Sequence, residues 1–267
     1  MKVFLVAIAK NEKRYISEFI NHHLNLGFDK IIIYDNNDKS SDECYFHLAN
    51  EKVDVIDARG KINYQKRAYK HCYNKYKNEN GWMFFLDIDE FLIIKTDIHS
   101  FLSNPRFERF NQILFNWRMM SDNNLVTFED KPLLQRFTKP CHQSKKFHGC
   151  SLNKYVKCCV RLISKIEDIH LKNVHFVKNI KPCCNPRGKV IKAARHKSKI
   201  CYANGYIKHF QYKTIEEFVT NRMLKGNANS KKDRLIRYAH FFEYNKVTED
   251  KLNWLIDYIY QLQREIY

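Results

Sequence analysis

The chain has 267 residues, 47 Lys and Arg against 29 Asp and Glu, a formal net charge of +18, and 44% apolar residues. That apolar share over that length supplies a large core, which excludes a disordered tail and a disulfide-stapled miniprotein. No apolar run approaches the ~20 residues that span a bilayer, and the apolar start MKVFLVAIAK has no small-residue cleavage site after it, so it reads as a first strand.

Val3 to Ala9 is a nearly unbroken apolar run, as in a strand covered on both faces. Tyr15, Ile16, Phe19, Ile20, His23 and Leu24 then recur at helical spacing, and Gly27 is placed to close that helix. Lys30 to Tyr34 holds three isoleucines and leads into the polar turn DNNDKSSDE. Val53 to Ile56 predicts a third strand, Tyr64 to Tyr76 a helix, and Met83 to Leu86 a fourth strand ending at Asp87. Strands joined by crossovers of helix length predict an α/β fold with a mainly parallel sheet flanked by helices. Ligands of such sheets sit beyond the carboxyl ends of the strands. There the chain places Lys10, Asn11 and Glu12, then Asp35, Asn36 and Asn37, then Asp57 and Arg59, and finally Asp87, Asp89 and Glu90.

In FFLDIDEFLII three acids interrupt an apolar segment, and burying carboxylates is costly without a cation or donor. Asp87 and Asp89, at period two, share one side of an extended turn. Two oxygens so placed suit Mg²⁺ or Mn²⁺ and leave positions for phosphate oxygens. A plain polar turn is the simpler alternative. No Walker-type phosphate loop and no G-x-G-x-x-G occurs in a chain with only seven glycines.

Further along, Trp117 suits either sugar stacking or the core, and Arg136, Lys157 and Arg161 either meet phosphates or lie on a solvated face. Residues 139–199 are rich in Lys, Arg, His and Cys and read as long loops with short strands, where substrate choice is commonly encoded. Nine cysteines, including the pairs Cys158-Cys159 and Cys183-Cys184, fit a reduced cytoplasmic protein better than a disulfide framework. Structural zinc is a rival use for two groups, Cys141, His142, His148 and Cys150, and Cys183, Cys184, His196 and Cys201. From Thr248 onward Leu252, Leu255, Ile256, Ile259, Leu262 and Ile266 form the stripe of an amphipathic helix, suited to the core, a homo-oligomer contact or a membrane surface.

Four stretches together, AIAKNEKRYISEFINHHLNLGFDKIIIYDNND, QKRAYKHC, FLDIDEFL and IKHFQYKTIEEFVTNRMLKG, resemble the successive motifs of nucleotide-sugar glycosyltransferases with the A-type fold, in the group of families 2 and 92. The resemblance runs from Val3 to about Gly226. It implies a glycosyltransferase domain over 1–226, with a nucleotide-sugar-binding half at 1–100 and an acceptor half at 101–226, followed by a helical extension at 227–267. It implies Asp89 as a metal ligand, Asp87 toward the ribose or a metal-bound water, and His209 completing the metal shell. Lys10, Asn11, Glu12 and Asp35 fall where base and ribose are recognised, and Gln65 and Tyr69 on a helix facing the donor. His209 also precedes a capping box, Thr214 with Glu217, which would fix its position. The catalytic base is read as Asp122, with Glu129 and Asp130 as alternatives on the acceptor side.

The resemblance thus implies a Mn²⁺- or Mg²⁺-dependent, inverting transfer of a hexose from a UDP-sugar to a saccharide or lipid-linked glycan, in surface polysaccharide synthesis. The positive charge would suit anionic substrates or the cytoplasmic face of a membrane. The rivals are a basic nucleic-acid binder, for which no module is visible, and a metal-dependent nuclease or phosphotransferase, which would need further acids beyond Asp57.

Overall fold

The computed structural model describes residues 1–141, 150–171, 173–192, 196–223 and 238–266. By packing the chain forms two compact units, one of Met1–Arg118 with Leu152–His209, the other of Met119–Ser151 with Phe210–Tyr267. Strands up to His209 return to the sheet begun by the first hundred residues, while Met119–Ser151 groups with the residues from Phe210 onward.

In the first unit the early elements follow the sequence pattern: β1 (Lys2–Ala9), α1 (Ile16–Asn25), β2 (Lys30–Asp35), β3 (Val53–Asp57), α2 (Gln65–Tyr76) and β4 (Gly81–Phe85). β1 pairs in parallel with β2 and β4, and β2 with β3. Successive strand residues serve opposite faces, so Phe4, Val6, Ile32 and Tyr34 pack in one cluster with Ala68, Tyr69, Cys72 and Tyr73 of α2. After α1, Gly27 takes φ +93°, the left-handed conformation that glycine adopts without a Cβ penalty.

Beyond β4 come β5 (Glu90–Ile94), β6 (Gln112–Met119), β7 (Val156–Arg161), β8 (Cys183–Cys184) and β9 (Gly205–His209). The strand order is β3-β2-β1-β4-β7-β6-β9-β5, with β8 beside β6. β7 runs antiparallel to β4 and β6, and β9 antiparallel to β5, so this part of the sheet is mixed. Two placements follow. The β5–β9 register sets Glu90 opposite His209, and the pairing of β7 with β4 and β6 buries Lys157 in the interior of the sheet.

The second unit contains α3 (Leu133–Arg136), α4 (Ile215–Glu217), α5 (Tyr238–Phe242) and α6 (Glu249–Ile266). Thr214 and Glu217 make both bonds of the predicted capping box. Both oxygens of the buried Glu217 accept from Arg136, at 2.8 and 2.9 Å. That guanidinium is therefore spent inside the unit and does not meet a phosphate. On α6, Leu255 is buried while Leu252, Ile256 and Ile259 are exposed. Among the described residues no helix is long and apolar enough to cross a membrane.

All nine cysteines are free. His142 and His148 of the zinc reading lie outside the described residues. Among the described residues no three His, Cys, Asp or Glu side chains are grouped to hold a metal, so neither zinc cluster forms there.

Candidate active site

The turn between β4 and β5 carries Asp87, Ile88 and Asp89, at the carboxyl end of a parallel strand. Both carboxylate oxygens of Asp87 are held by partners. Its Oδ1 accepts from Gln65 Nε2 at 2.6 Å and Tyr69 O–H at 3.4 Å, both on α2, and its Oδ2 accepts from Lys157 Nζ at 2.8 Å. Lys157 also lies 3.3 Å from Glu90 Oε2, which in turn accepts the Asp87 backbone N–H at 3.0 Å. Lys157 and Glu90 are fully buried, and the second oxygen of Glu90 has no hydrogen-bond partner.

These contacts set the protonation states. Burial pushes the Asp87 carboxyl up, but the Lys157 ammonium outweighs it and holds Asp87 below the usual aspartate range. Burial works against the charge of Lys157 as well, yet Asp87 and Glu90 keep it well above the usual lysine value. Glu90 goes the other way, raised well above the ordinary glutamate range by burial and then by Asp87 and Asp89, against the pull of Lys157. His175 is pushed down to about 3, by burial first and by Lys157 second.

Asp89 lies beside the histidine that β9 delivers, with His209 Nε2 3.5 Å from Asp89 Oδ1. His209 Nδ1 is buried without a hydrogen-bond partner. The His209 ring packs against the Trp117 indole at 4.3 Å between centroids, and Trp117 stacks on Tyr155 at 5.2 Å. Trp117 is therefore a buried support for His209 rather than an open sugar platform. Asp89 Oδ1 and His209 Nε2 are the groups here that could hold a divalent cation, and an oxygen donor beside an imidazole would suit Mn²⁺ better than Mg²⁺, which prefers oxygen ligands.

At the ends of β1 and β2 the predicted residues form a separate network. Asn11, at φ +53°, donates its backbone N–H to Asn37 Oδ1 at 2.9 Å. Asp35 is fully buried; its Oδ1 accepts from the Asn37 backbone and side chain, and its Oδ2 from Tyr45 N–H at 3.1 Å. The Glu12 backbone N–H donates to Glu43 and to the Tyr45 hydroxyl. Lys10 pairs with Asp38 at 2.7 Å in solvent. Asp35 thus shapes these loops from within, and an open cavity of about 640 Å³ lined by Lys13, Ser41, Asp42, Glu43 and Tyr45 lies beside them.

Asp122, read as the base, belongs to the second unit and is buried there. Its carboxylate forms an ion pair with the buried Lys251 and accepts from Asn124 N–H at 2.9 Å, while its own N–H donates to Asn245. A carboxylate closed in this way has no face for an acceptor hydroxyl. Arg161 donates to the carbonyls of Phe110 and Phe107, so it too is structural. The role of Lys157 was missed as a neutraliser of the acidic turn. Its signal is a lone lysine inside the apolar run VKCCV, a buried charge in need of a partner.

A mainly parallel sheet flanked by helices, with its acidic turn at the carboxyl edge, has the A-type fold of glycosyltransferases. The chain belongs to glycosyltransferase family 92, whose family model matches residues 8–252. It is 33% identical over 88 residues to a family 92 protein of Arabidopsis thaliana, covering 32% of this chain and 15% of that protein. Against one of Ricinus communis it is 24% identical over 97 residues, covering 36% and 18%. The chain thus matches less than a fifth of the length of these relatives. Among solved structures it is similar to S. aureus TarS 1–349 in complex with UDP, at 12% identity and a TM-score of 0.36, covering 61% of this chain and 47% of that one. A second is the galactosyltransferase LgtC in complex with donor and acceptor sugar analogs, at 12% identity and a TM-score of 0.27, covering 42% and 46%.

Proposed function

We propose that this chain transfers a hexose from a UDP-sugar to a saccharide or lipid-linked glycan, with a Mn²⁺ or Mg²⁺ ion shared between the protein and the donor diphosphate. The family supports glycosyl transfer, and the observation that carries the metal-dependent reading is the convergence of Asp89 Oδ1 and His209 Nε2, 3.5 Å apart, where the acidic turn meets the end of β9. A divalent ion at that pair would neutralise the charge that builds on the departing diphosphate.

The residues of the chain have separable tasks in this reading. Asp87, kept ionised by Lys157 and aimed by Gln65 and Tyr69, accepts a hydrogen bond from the donor ribose. Trp117 and Tyr155 wall off one side of His209 from water, which strengthens electrostatic contacts there. Asp122 is not assigned as the base. Calorimetry of UDP with and without Mn²⁺ tests the proposal: Mn²⁺-dependent binding that Asp89→Ala abolishes is expected. Absence of UDP binding in the presence of Mn²⁺ overturns it.

A further inference from the structure

From Ile169 to Ile215 the chain has eleven Lys and Arg and no Asp or Glu. Part of this stretch builds a cavity of about 750 Å³, lined by the cations Arg187, Lys189 and Lys199 and by the aliphatic Val190, Ile191 and Ile200. One wall is a tight hairpin. The Asn185 side chain accepts from Arg187 N–H at 3.0 Å and Lys189 N–H at 3.1 Å, and Ile191 N–H donates to Cys183 on β8 at 2.9 Å. At its tip Gly188, φ +76°, lies so close to Arg106 that a Cβ would meet the Arg106 Cβ at 3.0 Å. Arg106 Nε is buried there with no hydrogen-bond partner.

The other wall is tied to β6. Asn116 accepts from Cys201 N–H at 3.0 Å and donates to Ser198 Oγ at 3.3 Å, while Ser198 N–H donates to Lys154 at 2.8 Å. Asn116 directly precedes Trp117, the support of His209, so the cavity and the acidic turn lean on the same strand. Cations on a convex surface are usually just solvated. Here they converge on a concavity whose sequence holds no carboxylate to balance them, and half-exposed Val190 and Ile200 stand among them.

We propose that this cavity seats a phosphate ester of the glycosyl acceptor, a class that the transfer reaction above leaves open and on which this inference rests. The cations bind the phosphate, and Val190, Ile191 and Ile200 contact the body that carries it.

The test uses the full chain and two probes at low salt: glycerol 1-phosphate by calorimetry, and vesicles of phosphatidylcholine with or without phosphatidylglycerol by cosedimentation. The cavity variant is Arg187→Gln/Lys189→Gln/Lys199→Gln. A charge-matched control is Lys39→Gln/Lys52→Gln/Lys95→Gln, on exposed residues elsewhere. The wild type and the control should bind alike, and the cavity variant at least about tenfold more weakly, a loss typical of charge-assisted contacts. Binding of glycerol 1-phosphate without vesicle binding assigns a soluble phosphorylated acceptor, and binding to phosphatidylglycerol vesicles lost only in the cavity variant assigns a lipid-borne one. Equal weakening in both variants, no weakening in the cavity variant, or no binding of either probe overturns the proposal. UDP binding with Mn²⁺, measured on the same variants, should be unchanged. Its failure in the wild type would count against the donor reading alone, since the cavity is read out by its own probes.

Discussion

Each unit buries a lysine against an aspartate, and the two arrangements differ in charge balance and in closure. Lys251 and Asp122 face each other one to one, their side chains 0% and 2% exposed. Lys157 is as deeply buried but faces two carboxylates, and Asp87 keeps 33% of its side chain in solvent. Asp89, 15% exposed, adds a further negative charge two residues on. A closed, balanced pair fastens two segments and has no electrostatic reason to gather a ligand. In the proposed reading an open cluster, fixed by its lysine, leaves Asp89 and His209 to share a cation with the donor.

Removing either lysine partner should show this difference. Lys157→Met leaves Asp87 and Glu90 in the sheet interior without a cation, so a loss of about 3–5 kcal/mol in denaturant unfolding is expected, and with it UDP binding. Asp122→Asn strands Lys251 and should cost about 3 kcal/mol, while turnover per folded molecule stays unchanged. A folded Asp122→Asn protein without turnover would erase the contrast between the two sites. For Asp89→Ala the pattern reverses. Mn²⁺-dependent activity should fall at least about a hundredfold, with a smaller loss of melting temperature than in Lys157→Met, because Lys157 keeps both Asp87 and Glu90.

The sequence carried some of this contrast and hid the rest. The nearly unbroken apolar run Val3–Ala9 and the three isoleucines of Lys30–Tyr34 read as covered strands, and Gly27 and the Thr214–Glu217 box mark their helix ends by local chemistry. The period-two acids of the DID turn were legible because carboxylates inside an apolar segment need an explanation. His209 was legible only through resemblance, since its neighbour Asp89 is reached by the β5–β9 register, a pairing distant in sequence that no periodicity encodes. Asp122 misled for a related reason: SDNN reads as a polar turn whether water or a buried lysine from α6 covers it.

The smallest effect isolates the second carboxyl that faces Lys157. Glu90→Gln leaves Lys157 facing Asp87 alone, and the amide oxygen can still accept the Asp87 backbone N–H. Burial raises the Glu90 carboxyl, so the folded state binds its proton more tightly than the unfolded state does. Stability of the wild type therefore falls as pH rises from the ordinary glutamate range up through the raised folded value. Asp87 has the opposite sign, because Lys157 depresses it: its contribution is present above the ordinary aspartate range and is lost as pH falls through the folded value. The substitution removes the first dependence and keeps the second. From about pH 5 to about pH 8 the melting temperature of the wild type should fall relative to that of Glu90→Gln, since groups common to both proteins, such as the depressed His175, cancel in the comparison. A steeper decline in the variant would mean that Glu90 is ionised and needed by Lys157. Lys157 would then face two charged carboxylates, and the open site would differ from the one-to-one closed pair by a further buried negative charge.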